Sequence, residues 1–379
     1  MDRVAIVGVG QTKQERNKIG ETFADMVYEA VLKALEHAGM GITQIDNVVS
    51  ASNDFWDGRT ISSMAINDAC GSYDKNISCV EGDGTFAAFY GMTRILSGSY
   101  NTTLVVAHCK GSESDSAHIT NAMFDPIYVR SLGLDAITSS ALQARRYMDT
   151  YGITEEQCAL VSVKNHGNGL NNPYAQLPMR ISVEDVKTSR MLADPIKLLD
   201  ASPISDGACA IILAKEEYAK RITSRPVWIR GIGYCADAYH LGDRDLADCK
   251  ALEDAAQRAY RMATISTPRK EIDVVELYDA FSYQELLWSE GLGLCGRGEG
   301  GRLVESGATS MKGDIPINPS GGLLSAHTVT VAGLVRIAEA VLQLRGEADK
   351  RQVKGAKAAL AHGVNGPCGQ SHCVWILGR

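Results

Sequence analysis

The C-terminal stretch of the sequence brings a thiol and an imidazole into one glycine-rich segment. Cys368 stands two residues after Gly366, and His372 follows four residues after the cysteine. A thiol beside an imidazole can ionise near neutral pH, which suits a nucleophile or a group that donates and accepts protons. The spacing therefore makes Cys368 and His372 candidate catalytic residues.

Two other glycine-rich turns precede predicted helices. They read Glu81-Gly82-Asp83-Gly84 and Asn318-Pro319-Ser320-Gly321-Gly322. Backbone N–H groups at such helix starts can face an oxyanion or a carbonyl oxygen. We therefore expect Gly84 and Gly322 to line an oxyanion site, although the same glycines could simply make tight turns.

The remaining thiols do not indicate a metal site. The chain has ten cysteines, without a Cys-x-x-Cys pair and without a His-Glu-x-x-His motif. Structural zinc sites normally show such spacings, so no metal site is expected within this chain. In a reducing compartment most of these thiols act as small buried hydrophobic side chains.

Composition narrows the class of protein. The chain has 379 residues, 45% hydrophobic and 22% charged, which suits two domain-sized units. Its formal net charge of −7 gives no support for a nucleic-acid partner. No apolar run approaches the roughly 18 residues that span a bilayer, and the first residues do not resemble a secretion signal. We expect a cytoplasmic protein that acts on neither nucleic acid nor membrane.

Apolar periodicity predicts two halves with the same plan. The first begins with a strand at Val4–Val9, continues with an amphipathic helix that Gly39 stops, and closes with a strand ending in His108. The second begins with a strand at Val227–Ile232 and closes with a strand at Ala358–His362. Strand–helix alternation implies stacked α/β layers, with a site where the duplicated halves meet.

These patterns predict domains at 1–222 and 223–379, the first with an inserted region at about 110–195. A dinucleotide-binding alternative rests on Gly8-Val9-Gly10. It fails because position 13 is Lys13 rather than the third glycine, and the next helix begins only near Glu21.

Motifs along nearly the whole chain resemble the thiolase superfamily, most closely its sterol-carrier-associated and archaeal branch. The matching segments are Val4-Ala5-Ile6-Val7-Gly8-Val9-Gly10-Gln11-Thr12, Lys164-Asn165-His166, Asn172-Pro173-Tyr174-Ala175, Ser205-Asp206-Gly207-Ala208, Glu276-Leu277-Tyr278-Asp279-Ala280-Phe281, Gly298-Glu299-Gly300-Gly301 and Asn318-Pro319-Ser320-Gly321-Gly322-Leu323. The resemblance implies a five-layered αβαβα thiolase fold and a homodimer.

The chain departs from the family pattern where the nucleophilic cysteine is expected. Alignment on the first-half helix places that position at Glu81 or at Gly84, depending on the anchor. Cys79 is the nearest thiol, two residues before Glu81. It remains a candidate nucleophile, with a buried structural thiol as the alternative.

The other catalytic blocks of the family fall in the second half. The resemblance assigns the activating histidine to His327 and places the C-terminal cysteine at Gly366, with Cys368 in the same loop. Tyr278 stands where the branch often has histidine, and a buried phenol can donate a hydrogen bond to a thioester oxygen or relay a proton. Each of these three side chains also has an ordinary structural interpretation.

Three functions remain open. The leading hypothesis is an acyltransferase that cleaves a 3-oxoacyl-CoA with coenzyme A as cosubstrate, in the breakdown of aromatic compounds or steroids. His327 would be its base and Cys368 its nucleophile or acid. The second is a cysteine-independent retro-aldol lyase acting on a β-hydroxyacyl-CoA, with Tyr278 or His372 as base. The third is a thiolase-like scaffold that binds without catalysis.

The resemblance also implies partners. No covalently bound cofactor is expected, and coenzyme A enters as a substrate. Divergent members of the branch, such as benzoylsuccinyl-CoA thiolase and steroid side-chain aldolases, work with a small zinc-ribbon/OB-fold protein. We expect the same kind of partner here.

Overall fold

The structure, a computed structural model, describes residues 3–379 and contains a mixed nine-stranded sheet and a small hairpin. In chain order the strands are β1 (Val4–Gln11), β2 (Asn47–Ser52), β3 (Asn76–Glu81), β4 (Thr102–Lys110), β5 (Met191–Ala193), β6 (Ile196–Lys197), β7 (Asp206–Lys215), β8 (Val227–Ala236), β9 (Val274–Glu276), β10 (Ala358–Asn365) and β11 (Ser371–Gly378). The main sheet has the order β3-β2-β4-β7-β1-β8-β11-β10-β9, while β5 and β6 form the hairpin. Residues 1 and 2 of the predicted first domain lie outside the described residues.

The helices are distributed over the whole described chain. They are α1 (Phe23–Ala38), α2 (Asp54–Asp57), α3 (Gly84–Leu96), α4 (Ser116–Ala122), α5 (Ala136–Tyr151), α6 (Glu155–Gly169), α7 (Val183–Thr188), α8 (Glu216–Ile222), α9 (Lys250–Ala263), α10 (Pro268–Glu271), α11 (Ser282–Gly291), α12 (Gly300–Glu305), α13 (Gly322–Ser325) and α14 (Ala332–Arg345). Helix α1 begins after the cap residue Thr22 and stops at the predicted residue, Gly39, whose φ is 65°.

The sheet repeats one strand plan on either side of its centre. The first half contributes, from its edge to the centre, the strands β3, β2, β4, β7 and β1. The second half repeats this order from the opposite edge, with a segment at Ile317 followed by β9, β10, β11 and β8. Ile317 makes an isolated parallel bridge to Val275 where the first half has a full strand. The halves join where β1 meets β8. The predicted duplication is confirmed.

Three buried apolar clusters separate the layers. The first lies between α1 and the outer face of the first-half strands. In the second, α3 and α14 lie between the inner faces of the two halves. The third covers the outer face of the second half with α9 and α11, and α5 and α6 pack onto it. The layers therefore alternate helix, sheet, helix, sheet, helix, as expected.

Paired glycines let helices lie close to the central strands. A β-carbon on Gly8 or Gly10 would come within 2.4 or 2.3 Å of a carbonyl oxygen of α1. On Gly231 or Gly233 it would come within 2.2 or 1.8 Å of a carbonyl oxygen of α9. Only glycine fits so close to backbone. Helix packing, repeated in both halves, thus explains the Gly8–Gly10 motif.

Candidate active site

Two predicted site residues meet directly at the junction of the halves. Tyr278 lies just after β9, and His327 lies between α13 and α14. The Tyr278 hydroxyl and His327 Nε2 are 2.9 Å apart, and their rings meet edge to face at 5.4 Å. Both side chains are half-buried. The pair therefore offers a phenol and an imidazole that can exchange a proton.

A serine completes a chain of three polar groups. His327 Nδ1 lies 2.9 Å from the Ser202 hydroxyl, and the Ser205 hydroxyl accepts the His327 backbone N–H at 3.0 Å. Burial, followed by the charge of Arg336, lowers the pKa of His327 to about 3. The imidazole is consequently neutral at pH 7 and can accept a hydrogen bond. Burial raises the pKa of Tyr278 well above its ordinary value, so this residue stays a phenol.

Asp279 fixes the backbone next to Tyr278. Its carboxylate accepts the Leu323 backbone N–H at 2.6 Å and the Asn165 amide at 2.7 Å. A β-carbon on Gly322 would lie 2.4 Å from both carboxylate oxygens. Burial, and then the charge of Glu285, raises the pKa of Asp279 to about 7. The predicted glycine at 322 therefore allows the loop to close over a carboxyl group.

Buried ion pairs hold the same loop from two sides. Glu276 accepts hydrogen bonds from Arg336 at 2.7 Å and from the Ser320 hydroxyl at 2.6 Å. On the other side Lys164 and Glu285 approach to 2.9 Å, linking α6 to α11. Rigid supports of this kind preorganise the side chains that they carry. They fix the approach of Tyr278 to His327.

His372 pairs with a histidine rather than with a thiol. Its Nδ1 lies 2.9 Å from Nε2 of His362, and the two buried rings stack at 5.2 Å. The Tyr278 backbone N–H points to His362 Nδ1 at 3.4 Å. Burial lowers the pKa of His372 to about 3 and that of His362 well below its ordinary value. The pair adjoins the backbone of Tyr278.

The Cys368 thiol turns toward another helix. Residue 368 is buried with a φ of 53°, and its thiol contacts the hydroxyls of Ser139 and Ser140 on α5. Burial raises the pKa of the thiol. Gln143, also on α5, donates to the Cys368 carbonyl at 3.2 Å. Cys368 lies in the turn before β11 and His372 on β11 itself, so the imidazole bonds to His362 while the thiol faces α5.

The first-half candidates lie on the edge strand β3. Cys79 is exposed, and its sulfur lies 3.2 Å from the Ser52 hydroxyl. Glu81, also exposed, accepts a hydrogen bond from Asn53 at 2.8 Å. The expectation of a buried thiol at position 79 is wrong, because Cys79 lies on a strand that has a neighbouring strand on one side only.

The start of α3 is filled by a carboxyl group. Asp83 caps the helix by accepting from the Thr85 backbone N–H at 2.9 Å, and it accepts the Gly333 N–H of α14 at 2.6 Å. Burial raises its pKa to about 6. Gly84 comes next and packs against Leu334, to which a β-carbon would come within 2.5 Å. An external oxyanion at this helix start would compete with the Asp83 carboxylate.

Gly366 takes no part in these contacts. It has a φ of 78° in the turn between β10 and β11, and a β-carbon there would meet Gln370 at 2.6 Å. Its sequence position therefore reflects a tight turn. The placement of the candidate sites as a catalytic set stays a prediction.

Sequence reasoning missed three residues that border the Tyr278–His327 pair. His362 ends the predicted closing strand of the second half, as His108 ends that of the first half. The repeated histidine was therefore a sequence signal that pointed to His362. Asp83 lies inside the glycine-rich turn Glu81-Gly82-Asp83-Gly84, and an aspartate before a helix is a signal for a helix cap. Ser202 carried no sequence signal, because its role depends on a contact across 125 positions.

A membrane-spanning helix and a metal-binding cluster are both absent from the described residues. Within residues 3–379 no helix is long and apolar enough to cross a membrane. Over the same residues, no three His, Cys, Asp or Glu side chains are grouped as a metal site would require.

Comparison with known proteins gives matches over both halves. The thiolase N-terminal domain model covers residues 4–217, and the thiolase C-terminal domain-like model covers residues 233–379. An acetyl-CoA acetyltransferase of Methanothermobacter thermautotrophicus is 40% identical, over 100% of both chains. The benzoylsuccinyl-CoA thiolase subunit BbsB of Thauera aromatica is 30% identical, over 97% of this chain and 95% of its own.

A solved structure of the Ltp2–ChsH2(DUF35) aldolase superposes with a TM-score of 0.86 at 25% identity, covering 99% of this chain and 97% of that one. The fold, the matched models and the relatives agree over the full described length. The chain therefore belongs to the thiolase family, whose members are acyltransferase-type enzymes that use coenzyme A substrates.

Proposed function

We propose that this enzyme cleaves the Cα–Cβ bond of a β-hydroxyacyl-CoA by a retro-aldol reaction, without a covalent cysteine intermediate. The observation that carries the proposal is the 2.9 Å contact between the Tyr278 hydroxyl and a neutral His327, set among buried supports. A retro-aldol step needs a group that takes a hydroxyl proton and a site that tolerates an enolate. Tyr278 and His327 supply the first.

None of three cysteines is shown next to the pair with the properties of a nucleophile. Cys79 lies on the sheet edge and contacts Ser52, and the Cys368 thiol faces α5 with a pKa that burial raises. Cys109 is close enough to Tyr278 to influence its pKa, but the Cys109 thiol is buried. Burial, and then the carboxyl group of Asp57, raises the pKa of Cys109. The thiolate is the reactive form of cysteine, and burial disfavours it.

Tyr278 and His327 together can carry every proton that the retro-aldol reaction moves. The β-hydroxyl proton moves to the Tyr278 oxygen while the phenolic hydrogen moves to His327 Nε2. The Cα–Cβ bond then breaks, a carbonyl compound leaves, and the electron pair becomes the enolate of the thioester. The imidazolium returns the proton through Tyr278 to Cα, which gives a shorter acyl-CoA. The negative charge that develops on the substrate offsets the cost of charging His327.

Thiolytic cleavage of a 3-oxoacyl-CoA is the second candidate. It is favoured by the 40% identical relative that is named as an acetyl-CoA acetyltransferase. In that reaction Cys368 would take the acyl group, His327 would act as base, and coenzyme A would release the product. Movement of the loop at Gly366 would have to bring the thiol from α5 to the site. A role in the breakdown of aromatic compounds or steroids is proposed for either reaction.

We also propose the assembly that the resemblance implies. The β3 edge is open in the isolated chain, and pairing of two β3 edges would produce a homodimer. A small zinc-ribbon/OB-fold protein as second partner is supported by the aldolase neighbour, which is itself a complex with a DUF35 protein. A cytoplasmic location also stays a proposal. Sedimentation of the purified chain tests the dimer, and a stable active monomer would rule it out.

A direct assay separates the two reactions. The purified protein is incubated with a β-hydroxyacyl-CoA, and separately with the matching 3-oxoacyl-CoA, each with and without free coenzyme A. Mass spectrometry of the products should show cleavage of the hydroxy substrate without added coenzyme A. The Tyr278→Phe variant serves as the control. Cleavage of only the 3-oxo substrate, dependent on coenzyme A and with an acylated cysteine, would replace the proposal by the second candidate.

A further inference from the structure

Two histidines lie together on a sheet face that is otherwise apolar. His362 on β10 and His372 on β11 are diagonal neighbours, because the register pairs His362 with Val374 and Val364 with His372. Leu360, Val374 and Ile376 belong to the same apolar cluster on this face. An imidazole buried in such surroundings is costly unless its nitrogens are hydrogen-bonded.

The hydrogen bonds around this pair admit one arrangement of protons. The Tyr278 backbone N–H can only donate, so Nδ1 of His362 must be an acceptor without a hydrogen. His362 is neutral and therefore carries its hydrogen on Nε2, which donates to Nδ1 of His372 at 2.9 Å. His372 in turn carries its hydrogen on Nε2, which faces the backbone of Gly369.

The Gly369 backbone and an indole close the far end of this chain. A β-carbon on Gly369 would lie 2.8 Å from His372 Nε2 and 2.7 Å from the Trp288 ring. The Trp288 and His372 rings meet edge to face at 4.9 Å. The imidazole of His372 therefore has little room to rotate, and its Nδ1 is kept facing His362.

We infer that His372 is a positioning residue, whose Nδ1 fixes the orientation of the His362 ring and thereby the backbone at Tyr278. If Nδ1 of His372 were missing, the buried Nε2–H of His362 would lack an acceptor. Rotation of the ring toward another acceptor would then become favourable, because an unpaired buried donor is costly. That rotation takes Nδ1 away from the Tyr278 N–H, so the Tyr278 backbone loses a support and the phenol its fixed approach to His327. The consequence for turnover rests on the proposed function, whereas the ring orientation does not.

Two substitutions of similar size at position 372 separate the loss of the hydrogen-bond acceptor from the loss of side-chain volume. His372→Asn retains an oxygen acceptor close to the place of Nδ1, and His372→Leu fills the space without one. Both are compared with Cys373→Ala, which alters the neighbouring buried residue of β11 on the opposite face. Histidine-selective ¹⁵N NMR reads the tautomers, thermal unfolding monitors folding, and steady-state kinetics gives kcat and KM.

The parent protein should show hydrogen on Nε2 of both histidines. His372→Leu should leave the hydrogen of His362 on Nε2 but shift the ¹⁵N resonance of its Nδ1, because the contact with the Tyr278 N–H is lost. It should also lower kcat by about 10- to 100-fold at similar KM, because small displacements of a reacting group have effects of this size. His372→Asn should keep the parental Nδ1 resonance and recover most of kcat.

A hydrogen on Nδ1 of His362 in the parent would overturn the inference. So would an unchanged Nδ1 resonance in a folded His372→Leu protein, or a parental kcat in one whose Nδ1 resonance had changed. Absence of retro-aldol activity in the parent would instead overturn the proposed function, and the kinetic comparison would then be made on the thiolytic reaction. The NMR result decides the role of His372 toward His362 in either case.

Discussion

The two halves place a histidine near the end of equivalent strands, His108 on β4 and His362 on β10, and surround it differently. His108 Nε2 lies 3.0 Å from the carboxyl group of Asp57, and its ring stacks on Phe23 at 5.1 Å. His362 bonds to another imidazole and to the backbone next to Tyr278. One position of a duplicated fold thus contacts the short helix α2 in the first half and adjoins the candidate active site in the second.

The difference extends to the chemistry of the halves. Tyr278 and His327 both come from the second half, whereas the start of α3 in the first half is filled by Asp83. The resemblance places the family's nucleophilic cysteine in the first half, where this chain has Glu81 or Gly84. Under the proposed function the proton chemistry is therefore confined to the second half. The comparison predicts large catalytic effects from second-half substitutions and mainly stability effects from first-half ones.

The largest expected effect comes from Tyr278→Phe. Removing the hydroxyl deletes the group that is proposed to take the substrate's hydroxyl proton, while the ring still packs against His327. We expect kcat to fall by about 10³-fold, in the range of positioned acid–base groups. Steady-state kinetics measures the loss, and an unchanged unfolding temperature shows that the fold is intact. Activity within a few-fold of the parent would locate the chemistry elsewhere.

His327→Ala should cost at least ~10²-fold in turnover. Because the pKa of His327 is lowered to about 3, its ring stays neutral as pH falls until that value is approached. The acidic limb of the activity profile should therefore not belong to His327. Limbs near pH 6 or 7 belong to Asp83 or Asp279, whose pKa values are raised to about 6 and about 7. A limb near pH 6 that vanished in His327→Ala would contradict this assignment.

Most of the fold was accessible from the sequence, because each element has its own local signal. The helix that Gly39 stops appears as predicted, and the strand that begins at Ala358 is present but continues past His362 to Asn365. The site was less accessible, since its contacts join distant segments. Tyr278 and His327 were named separately, but their 2.9 Å contact depends on how Asp279 holds the backbone of residue 323.

The position of Cys368 shows more clearly what sequence spacing cannot predict. In the sequence Cys368 and His372 are four residues apart, which suggested a reactive pair. In the fold, residue 368 has a positive φ that turns it toward α5, whereas His372 lies on β11 and faces His362. Spacing alone cannot report such a reversal between a turn and the strand that follows it.

Ser202→Ala should have a smaller effect on catalysis than the substitutions of Tyr278 and His327. The hydroxyl contacts Nδ1 of His327 at 2.9 Å and thereby helps to orient the ring. We expect kcat to fall by roughly 3- to 10-fold, about the value of one hydrogen bond. KM should change little. A loss as large as that of His327→Ala would place Ser202 among the proton-transferring groups.

His108→Ala should affect stability rather than catalysis. It leaves the buried carboxyl group of Asp57 without its partner, and removing one member of a buried pair costs about 3–5 kcal/mol. Denaturant unfolding should show this loss, while kcat of the folded fraction stays near the parental value. Adding Asp57→Asn removes the unpaired charge and should restore part of the stability. A selective fall in kcat would show that the first-half histidine also serves the reaction.

The smallest effect is expected from the two cysteines that resemblance and spacing selected. Cys79→Ser changes an exposed edge residue, and Cys368→Ser replaces a thiol that contacts Ser139 and Ser140 by a hydroxyl that can keep those contacts. Under the retro-aldol proposal both variants should retain activity within about 3-fold, because a hydroxyl substitutes for a structural thiol at the cost of about one hydrogen bond. Under the thiolytic alternative Cys368→Ser should abolish turnover, because a neutral serine at that position lacks a base to activate it. Mass spectrometry of the parent after brief exposure to substrate supplies the second measurement. An acyl adduct on Cys368 together with an inactive serine variant would move the nucleophile into the β10–β11 turn, and so restore a covalent role to the half that already holds Tyr278 and His327.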